Sequence, residues 1–257
     1  MKIELQPNKK IYFASDQHFG APTPELSKPR EAKFLAWLDE IKQDAQVLFL
    51  MGDLFDFWHE WKYVVPKGYV RILGKLAELK DNGIDIYFFV GNHDLWMKDY
   101  LEEEIGIPVF FEKQYYEISG KNFLLAHGDG LGPGDKGYKR MKKLFTNPIA
   151  QWFFKWLHPD IAMKIAVYFS TKNKMISGVE DMKFLGEDKE FLILYSKEKL
   201  KSEKIDYFVY GHRHLPMILD LKIDENAANY VNLGDWISYF TYGVFDGAEF
   251  KIEEYKQ

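Results

Sequence analysis

The chain has 257 residues, 47% of them hydrophobic, and a formal net charge of −5. These values fit a soluble globular protein, exclude a disordered chain and argue against a nucleic-acid partner. No cysteine is present, which excludes disulfides and thiolate–metal sites and suits a reducing compartment. The N-terminal MKIELQPNKKIYFASD lacks the apolar core of a secretory signal, and no apolar run is long enough to span a membrane. We therefore expect a cytoplasmic protein.

Six short apolar runs, each closed by a turn-forming or polar residue, predict strands buried on both faces. They are IYFAS before Asp16, VLFLM before Gly52, IYFFV before Gly91, FLLA before His127, YFVY before Gly211 and YVNL before Gly234. Between them, EAKFLAWLDEIKQ and VRILGKLAELKDNG have the apolar spacing of helices. The C-terminal TYGVFDGAEFKIEEY predicts a hairpin that turns at Asp246-Gly247. Strands alternating with helices predict an α/β layered fold.

The stretch 136–174 departs from this alternation. It contains nine basic residues and one acidic residue, a net formal charge of +8, together with several aromatic rings. Pro148 and Pro159 each stand where a helix could begin. We interpret 132–175 as two or three amphipathic helices inserted as a cap within a single domain, 1–257. An ordinary amphipathic face is the alternative, but such a face normally mixes charges of both signs, so the excess of lysine favours an anionic ligand.

Five polar fragments follow the predicted strands. They are Asp16-Gln17-His18, Gly52-Asp53-Leu54-Phe55-Asp56, Gly91-Asn92-His93-Asp94, His127-Gly128-Asp129 and Gly211-His212-Arg213-His214. Any one of them alone is more often a turn or a helix cap, but five at strand ends favour a metal site. Carboxylate, imidazole and amide oxygen suit Mn²⁺, Fe or Zn²⁺. Because alternate residues of an extended segment point the same way, we expect Asp16 and His18 to share one metal.

These fragments resemble the signature blocks of calcineurin-like metallophosphoesterases. The resemblance implies a four-layer α/β fold, a β-sandwich flanked by helices, and a dinuclear-metal hydrolase of phosphorus–oxygen bonds. It implies a first metal held by Asp16, His18, Asp53 and His214, and a second held by Asp53, Asn92, His127 and His212. It also implies that His93 stabilises the transition state or donates a proton, with Asp94 as its orienting partner.

A longer series of motifs is similar to the UDP-2,3-diacylglucosamine pyrophosphatases of lipid A biosynthesis. It comprises the HGD block, Asp135-Lys136-x-Tyr138-x-Arg140, Asn147-Pro148, the GHRH block and Leu233-Gly234-Asp235-Trp236. This resemblance implies two Mn²⁺ ions, release of UMP and 2,3-diacylglucosamine 1-phosphate, and acyl chains held beneath the cap at the cytoplasmic face of the inner membrane. The substrate contacts that it implies are Asn92, His93, Asp135, Tyr138, Arg140, Ser170, Asn173 and Lys174. Peripheral membrane contact is left open, and no obligate protein partner is expected.

The residue at position 93 admits an alternative function. The lipid A enzymes carry arginine where this chain has His93, whereas the wider superfamily carries histidine. A phosphodiesterase or phosphatase acting on soluble nucleotides, or on another lipid-linked phosphate, is therefore the alternative function. His59 could line the cleft or lie at the surface. Asp56 and Asp129 could orient ligands, and Asp235 is expected to be a solvated charge.

Overall fold

The computed structural model describes residues 1–133, 136–177 and 183–256, with side chains for 1–133, 138–168 and 183–256. The described strands are β1 (Lys2–Ile3), β2 (Lys10–Ala14), β3 (Ala45–Leu50), β4 (Asp85–Phe89), β5 (Val109–Phe110), β6 (Gln114–Ile118), β7 (Lys121–Leu125), β8 (Tyr207–Tyr210), β9 (Met217–Ile223), β10 (Asn226–Asn232), β11 (Thr241–Phe245) and β12 (Phe250–Glu254). The described helices are α1 (Pro24–Ile41), α2 (Val70–Asp81), α3 (Tyr100–Ile105), α4 (Lys136–Phe145), α5 (Pro148–Lys155), α6 (Pro159–Ser177) and α7 (Phe191–Leu200).

The strands form two sheets of six strands each. One has the order β12-β11-β2-β3-β4-β5, and β2, β3, β4 and β5 run parallel in it. The other has the order β1-β6-β7-β8-β10-β9, and β7, β8 and β10 run parallel in it. Because parallel strands end at the same edge of a sheet, the polar fragments that follow these strands are brought to one side of the molecule. All six predicted apolar runs are strands.

The two sheets pack face to face around an aromatic core. The ring of Phe13 stacks on that of Phe49 at 5.0 Å, and Phe49 meets the edge of Tyr116 from the other sheet at 5.1 Å. Such ring pairs add to the stabilisation from apolar burial. The outer face of the first sheet packs against α1 and α2, and that of the second sheet against α7. This arrangement of helix, sheet, sheet and helix confirms the predicted fold class.

Several finer predictions also agree with the structure. The C-terminal hairpin pairs β11 with β12, and Asp246 accepts hydrogen bonds from the backbone of Ala248 and Glu249 in its turn. Pro148 and Pro159 are the first residues of α5 and α6. Strands β6 and β9 were not predicted from the sequence, because they alternate buried and exposed residues instead of forming continuous apolar runs.

Helices α4, α5 and α6 lie between β7 and α7 in the chain and contact the loops near the strand ends. The indole nitrogen of Trp96 donates a hydrogen bond of 2.6 Å to the carbonyl oxygen of Phe145 in α4. The ring of Phe154 in α5 meets Trp96 at 4.4 Å between centroids. Within the described part of the chain, no helix is both long and apolar enough to cross a membrane.

Candidate metal centre

Five of the seven predicted metal ligands have a left-handed backbone. Their φ angles are 59° at Asp16, 46° at His18, 54° at Asp53, 68° at His212 and 51° at His214. Residues with a Cβ adopt this region at a cost of about 1 kcal/mol or more, and they cluster at functional sites where the surroundings enforce the conformation. The expectation that Asp16 and His18 follow each other in an extended segment is therefore wrong. The two side chains nevertheless meet, because two successive turns replace the extended backbone.

Two glycines allow these loops to approach each other closely. A Cβ on Gly91 would lie 2.2 Å from Asp53 Oδ1, and a Cβ on Gly211 would lie 1.9 Å from Ser15 Oγ. Neither gap can hold a carbon atom without moving its neighbour. The glycines at these positions therefore permit the backbone of one loop to rest directly against the carboxylates of another.

Asp16, His18 and His214 form the first group of candidate ligands. Asp16 Oδ1 lies 3.4 Å from His214 Nε2 and 3.8 Å from His18 Nε2, and the two imidazole rings stack at 5.1 Å. Asp16 and His18 are almost completely buried. Among the described residues, Asp16 Oδ1 and both ring nitrogens of His18 have no hydrogen-bond partner. Buried polar atoms normally have a partner, so these atoms fit the role of metal ligands.

Asp53 connects this group to the second one. Its Oδ2 atom lies 3.5 Å from His18 Nε2 and also 3.5 Å from His127 Nε2. Asn92 Oδ1 then lies 3.2 Å from His127 Nε2 and 2.9 Å from His212 Nδ1. All seven predicted ligands therefore come together, with Asp53 between the two groups. The donor set of carboxylate, imidazole and amide oxygens fits two divalent ions.

The charges of these groups depend on one another. Burial raises the pKa of Asp16, but the imidazoles of His214, His18 and His127 outweigh burial and lower it below its usual range. Asp53 is affected in the same way, mainly through His127. Burial lowers the pKa of His127, but Asp53 outweighs burial and raises it to about 10. The site therefore keeps two buried carboxylates ionised and attracts positive charge, as a cation site requires.

Comparisons with known proteins agree with this geometry. Residues 9–216 match the family model of the calcineurin-like phosphoesterases. The chain belongs to the calcineurin-like phosphoesterase family. The UDP-2,3-diacylglucosamine hydrolase of Porphyromonas gingivalis (strain ATCC BAA-308 / W83) is 39% identical over 95% of this chain and 97% of that protein. The hydrolase of the same name from Edwardsiella ictaluri (strain 93-146) is 28% identical over 87% of this chain and 83% of that protein. The one from Yersinia pestis bv. Antiqua (strain Angola) is 26% identical over 87% of this chain and 90% of that protein.

The phosphoesterase is thus a metal-dependent hydrolase, and its family implies divalent metal ions.

Residues behind the candidate ligands orient the imidazoles of the site through hydrogen bonds. His127 Nδ1 donates to the carbonyl oxygen of Met51 at 2.8 Å, which leaves Nε2 free to bind a metal. His214 Nδ1 lies 3.1 Å from Asp235 Oδ2, so its Nε2 atom is likewise presented to the site. Such outer partners fix both the tautomer and the direction of a ligating ring.

The expectation that Asp235 is a solvated charge is wrong. Asp235 is buried, with 2% of its surface exposed. Its Oδ1 atom accepts hydrogen bonds from the backbone of Ile237, Ser238 and Tyr239, while Oδ2 faces His214. The position of Asp235 at a strand end could have been recognised in the sequence, because Gly234-Asp235 follows the apolar run YVNL just as Gly52-Asp53 follows VLFLM.

Two arginines near the phosphoesterase site were also missed. Arg30 of α1 donates to the carbonyl oxygens of His18 and Ala21 at 2.7 and 2.6 Å, which supports the turn that holds His18. Arg213, between the two histidines of the GHRH block, forms a buried bidentate pair with Glu190 at 2.9 and 3.0 Å. A bidentate pair of this kind fixes orientation as well as charge. No strand-end pattern marks Arg30 or Glu190 in the sequence.

His93 contacts a different carboxylate from the one expected. Its Nδ1 atom donates to the carbonyl oxygen of Asp56 at 2.9 Å and lies 3.5 Å from Asp56 Oδ1. Asp94 instead accepts hydrogen bonds from the backbone nitrogens of Gly91 and Leu54, at 2.6 and 3.1 Å. Burial and the nearby Asp53 raise the pKa of Asp94 to about 8. In the structure, Asp94 therefore braces the loop that carries Asn92 and His93, and Asp56 is the carboxylate beside the His93 ring.

An apolar cavity of about 350 Å³ opens beside Asn92 and His93. Its other walls come from the loops near Trp58 and Trp96 and from α4, α5 and α6, and they include Met141, Phe145, Phe154 and Ile165. His59 lies buried behind this region, with its ring against Trp61, Trp96 and Phe154, so a surface role for His59 is wrong.

The predicted substrate contacts on the helices are only partly described. The ring of Tyr138 lies 6.2 Å from that of His212, and its hydroxyl donates to Asp129, which also pairs with Lys142. Arg140 is an exposed residue of α4. Asp135 lies outside the described residues, as do the side chains of Ser170, Asn173 and Lys174, whose backbone belongs to α6.

Proposed function

We propose that this phosphoesterase hydrolyses the pyrophosphate bond of UDP-2,3-diacylglucosamine. Water is added across the P–O–P linkage, which yields UMP and 2,3-diacylglucosamine 1-phosphate. The names of the relatives support this substrate, since the Porphyromonas gingivalis hydrolase aligns over nearly the whole of both chains. The observation that carries the proposal is the apolar cavity that opens at Asn92 and His93. A substrate with acyl chains needs such a cavity beside its phosphates, whereas a soluble nucleotide does not.

We infer that Asp16, His18, Asp53 and His214 hold one divalent ion and that Asp53, Asn92, His127 and His212 hold the other. The distances of 3.5 Å from Asp53 Oδ2 to imidazoles of both groups support a bridging role for this carboxylate. Mn²⁺ is the proposed metal, because the ligands are oxygen and imidazole atoms. When bound, two such ions supply an activated water and neutralise charge on the phosphoryl oxygens.

We infer further that His93 acts on the leaving oxygen of the reaction. Because its Nδ1 atom is held by the carbonyl oxygen of Asp56, Nε2 is the atom that faces the substrate. The Asp56 carboxylate, 3.5 Å from Nδ1, favours the protonated form of the ring, which can then give the leaving oxygen a hydrogen bond or a proton from Nε2. Asp94 acts indirectly, by fixing the loop from Gly91 to Asp94 through its two backbone hydrogen bonds.

The segment 132–175 is proposed as the cap that receives the acyl chains, within a single domain that spans 1–257. Met141, Phe145, Phe154 and Ile165 from its three helices line the apolar cavity. Burial of a hydrocarbon chain there contributes about 25 cal/mol per Å² of apolar surface. Tyr138 and Arg140 of α4 are proposed contacts of the sugar phosphate, together with Asp135, Ser170, Asn173 and Lys174.

The outer surface of the same helices supports a peripheral contact with the cytoplasmic face of a membrane. Ile149, Trp152, Phe153 and Trp156 of the α5 region are 67%, 55%, 64% and 74% exposed. Exposed aromatic and aliphatic side chains next to lysines are typical of surfaces that insert into the headgroup region of anionic lipids. The Trp152→Ser/Phe153→Ser double variant should lose co-flotation with anionic vesicles, and retained flotation would argue against this contact.

Product identification tests the proposed activity. The purified protein is incubated with Mn²⁺ and either UDP-2,3-diacylglucosamine or simple nucleotide diesters, and the products are identified by mass spectrometry. Release of UMP from the glycolipid alone is expected. Equal turnover of soluble diesters, with no preference for the acylated substrate, would contradict the proposal and indicate a general phosphodiesterase.

A further inference from the structure

A second cavity, of about 540 Å³, reaches the metal centre from a neighbouring direction. It opens at His127 and Asp129, whereas the apolar cavity opens at Asn92 and His93. Because Asn92 Oδ1 lies only 3.2 Å from His127 Nε2, the two cavities adjoin at the candidate metal ligands. A molecule whose reacting phosphorus is held at these ligands can therefore extend into both cavities at once.

The lining of this second cavity differs sharply from that of the first. Two acidic residues line it, compared with four lysines, Lys113, Lys139, Lys142 and Lys143. Lys142 pairs with Asp129, and Lys139 donates to the carbonyl oxygen of Gly132 at 2.6 Å. No ion pair or hydrogen bond to another described residue engages Lys113 or Lys143. Two lysines thus remain to bind an anionic or hydroxyl-rich group.

The same cavity also offers a flat apolar surface. Phe110 and Phe111 line it, and Phe111 is 54% exposed although it borders a basic site. An exposed phenylalanine ring beside lysines is the usual arrangement for stacking a nucleobase, since every base has an apolar face with polar edges. An acyl chain would gain little from this lining, whereas a nucleotide combines the ring, the hydroxyls and the charge that the cavity can bind.

We propose that this second cavity binds the uridine monophosphate half of the substrate, with the uracil ring stacked on Phe111 and the ribose beside Lys113 and Lys143. This inference rests on the proposed function and divides its substrate between two sites. The acyl chains enter the apolar cavity, the nucleotide enters the basic one, and the pyrophosphate lies between them at the candidate metal ligands. The volume of about 540 Å³ is within the range of cavities that hold ligands of this size.

Binding of UMP alone gives the most direct test. Its dissociation constant is measured by calorimetry in the presence of Mn²⁺ for the wild type, Phe111→Ala, Lys143→Ala and the matched control Lys222→Ala, an exposed lysine of β9 outside the cavity. Phe111→Ala and Lys143→Ala should each raise the dissociation constant by about tenfold, as expected for loss of one stacking or charged contact. Phe111→Trp should bind as tightly as the wild type, and Lys222→Ala should behave like the wild type.

Steady-state kinetics separates this inference from the proposed function. The same two alanine variants should raise KM for UDP-2,3-diacylglucosamine by a similar factor while kcat changes little, and their melting temperatures should stay close to that of the wild type. If the wild type hydrolyses the glycolipid but both variants bind UMP normally, the cavity assignment is overturned and the activity stands. If the wild type does not hydrolyse the glycolipid, the proposed function fails, and the UMP titrations alone decide whether the cavity binds a nucleotide.

Discussion

Replacing Gly91 by alanine adds a single methyl group at the closest approach between two loops of the metal centre. That carbon would lie 2.2 Å from Asp53 Oδ1 and 2.6 Å from the Asp53 backbone nitrogen. An ordinary carbon–oxygen contact is about 3.3 Å, so Asp53 and the Gly91 loop must separate by roughly 1 Å. Since Asp53 is the proposed bridge between the metals, we expect this small change to disturb both metal sites together.

A displacement of about 1 Å at a reacting centre costs on the order of 10²-fold in rate. We therefore expect Gly91→Ala to lose at least that factor in hydrolysis of bis(p-nitrophenyl) phosphate and to bind Mn²⁺ more weakly in calorimetric titrations. Gly74→Ala is the matched control, because Gly74 is exposed in α2 and its added methyl group meets no atom within 4 Å. This control should keep full activity and gain up to about 1 kcal/mol in stability from better helix propensity.

The two glycine variants together test the close approach of the loops at Asp53. Wild-type activity and wild-type Mn²⁺ affinity in Gly91→Ala would refute the close approach of the loops at Asp53. A loss of activity in both variants would point to a general effect of the added methyl group on folding. Circular dichroism and thermal unfolding of each variant distinguish the second result from a local defect at the site.

Three further predictions follow from other residues of the site and the helices above it. Asp235→Ala should weaken Mn²⁺ binding by about 10- to 100-fold, because the His214 ring loses its orienting partner, and unchanged affinity in the titration would remove that role. His93→Ala should keep its metals, measured by mass spectrometry of bound metal, but slow turnover by ~10²–10⁴, and loss of metal would make His93 a ligand instead. Burial, then Lys98 and Lys155, lowers the pKa of His59 to about 4, so folding stability should fall as pH drops from about 6.5 towards 4. His59→Phe should flatten this decline in urea titrations, while replacement of the exposed His158 should leave it unchanged.

Much of the fold and of the site could be predicted from local patterns. The apolar runs before Asp16, Gly52, Gly91, His127 and Gly211 are strands in the structure, because a strand buried on both faces must be apolar along its whole length. The polar residues that follow them meet because parallel strands end at one edge of a sheet. The choice of ligand types then indicated a hard or borderline metal without knowledge of any distance.

Other features depend on contacts between distant segments, and no local pattern shows which residues meet. Asp235 orients His214 across 21 residues, and Asp56, not Asp94, lies beside the His93 ring. Gly91 is restricted by the carboxylate of Asp53, which is 38 residues earlier in the chain. A sequence pattern describes the neighbours of a residue along the chain, whereas these pairings arise only when separate loops are packed together.

Residue types and their spacing were enough to predict the fold class, the candidate ligands and the charge of the helical segment, because burial, donor chemistry and net charge are properties of the residues themselves. The left-handed turns at Asp16, His18 and Asp53, and the apolar and basic cavities that adjoin the same ligands, follow from the folded chain alone. Backbone strain and cavity shape are set by the packing of whole elements against each other, and that packing is not encoded in any single stretch of the chain.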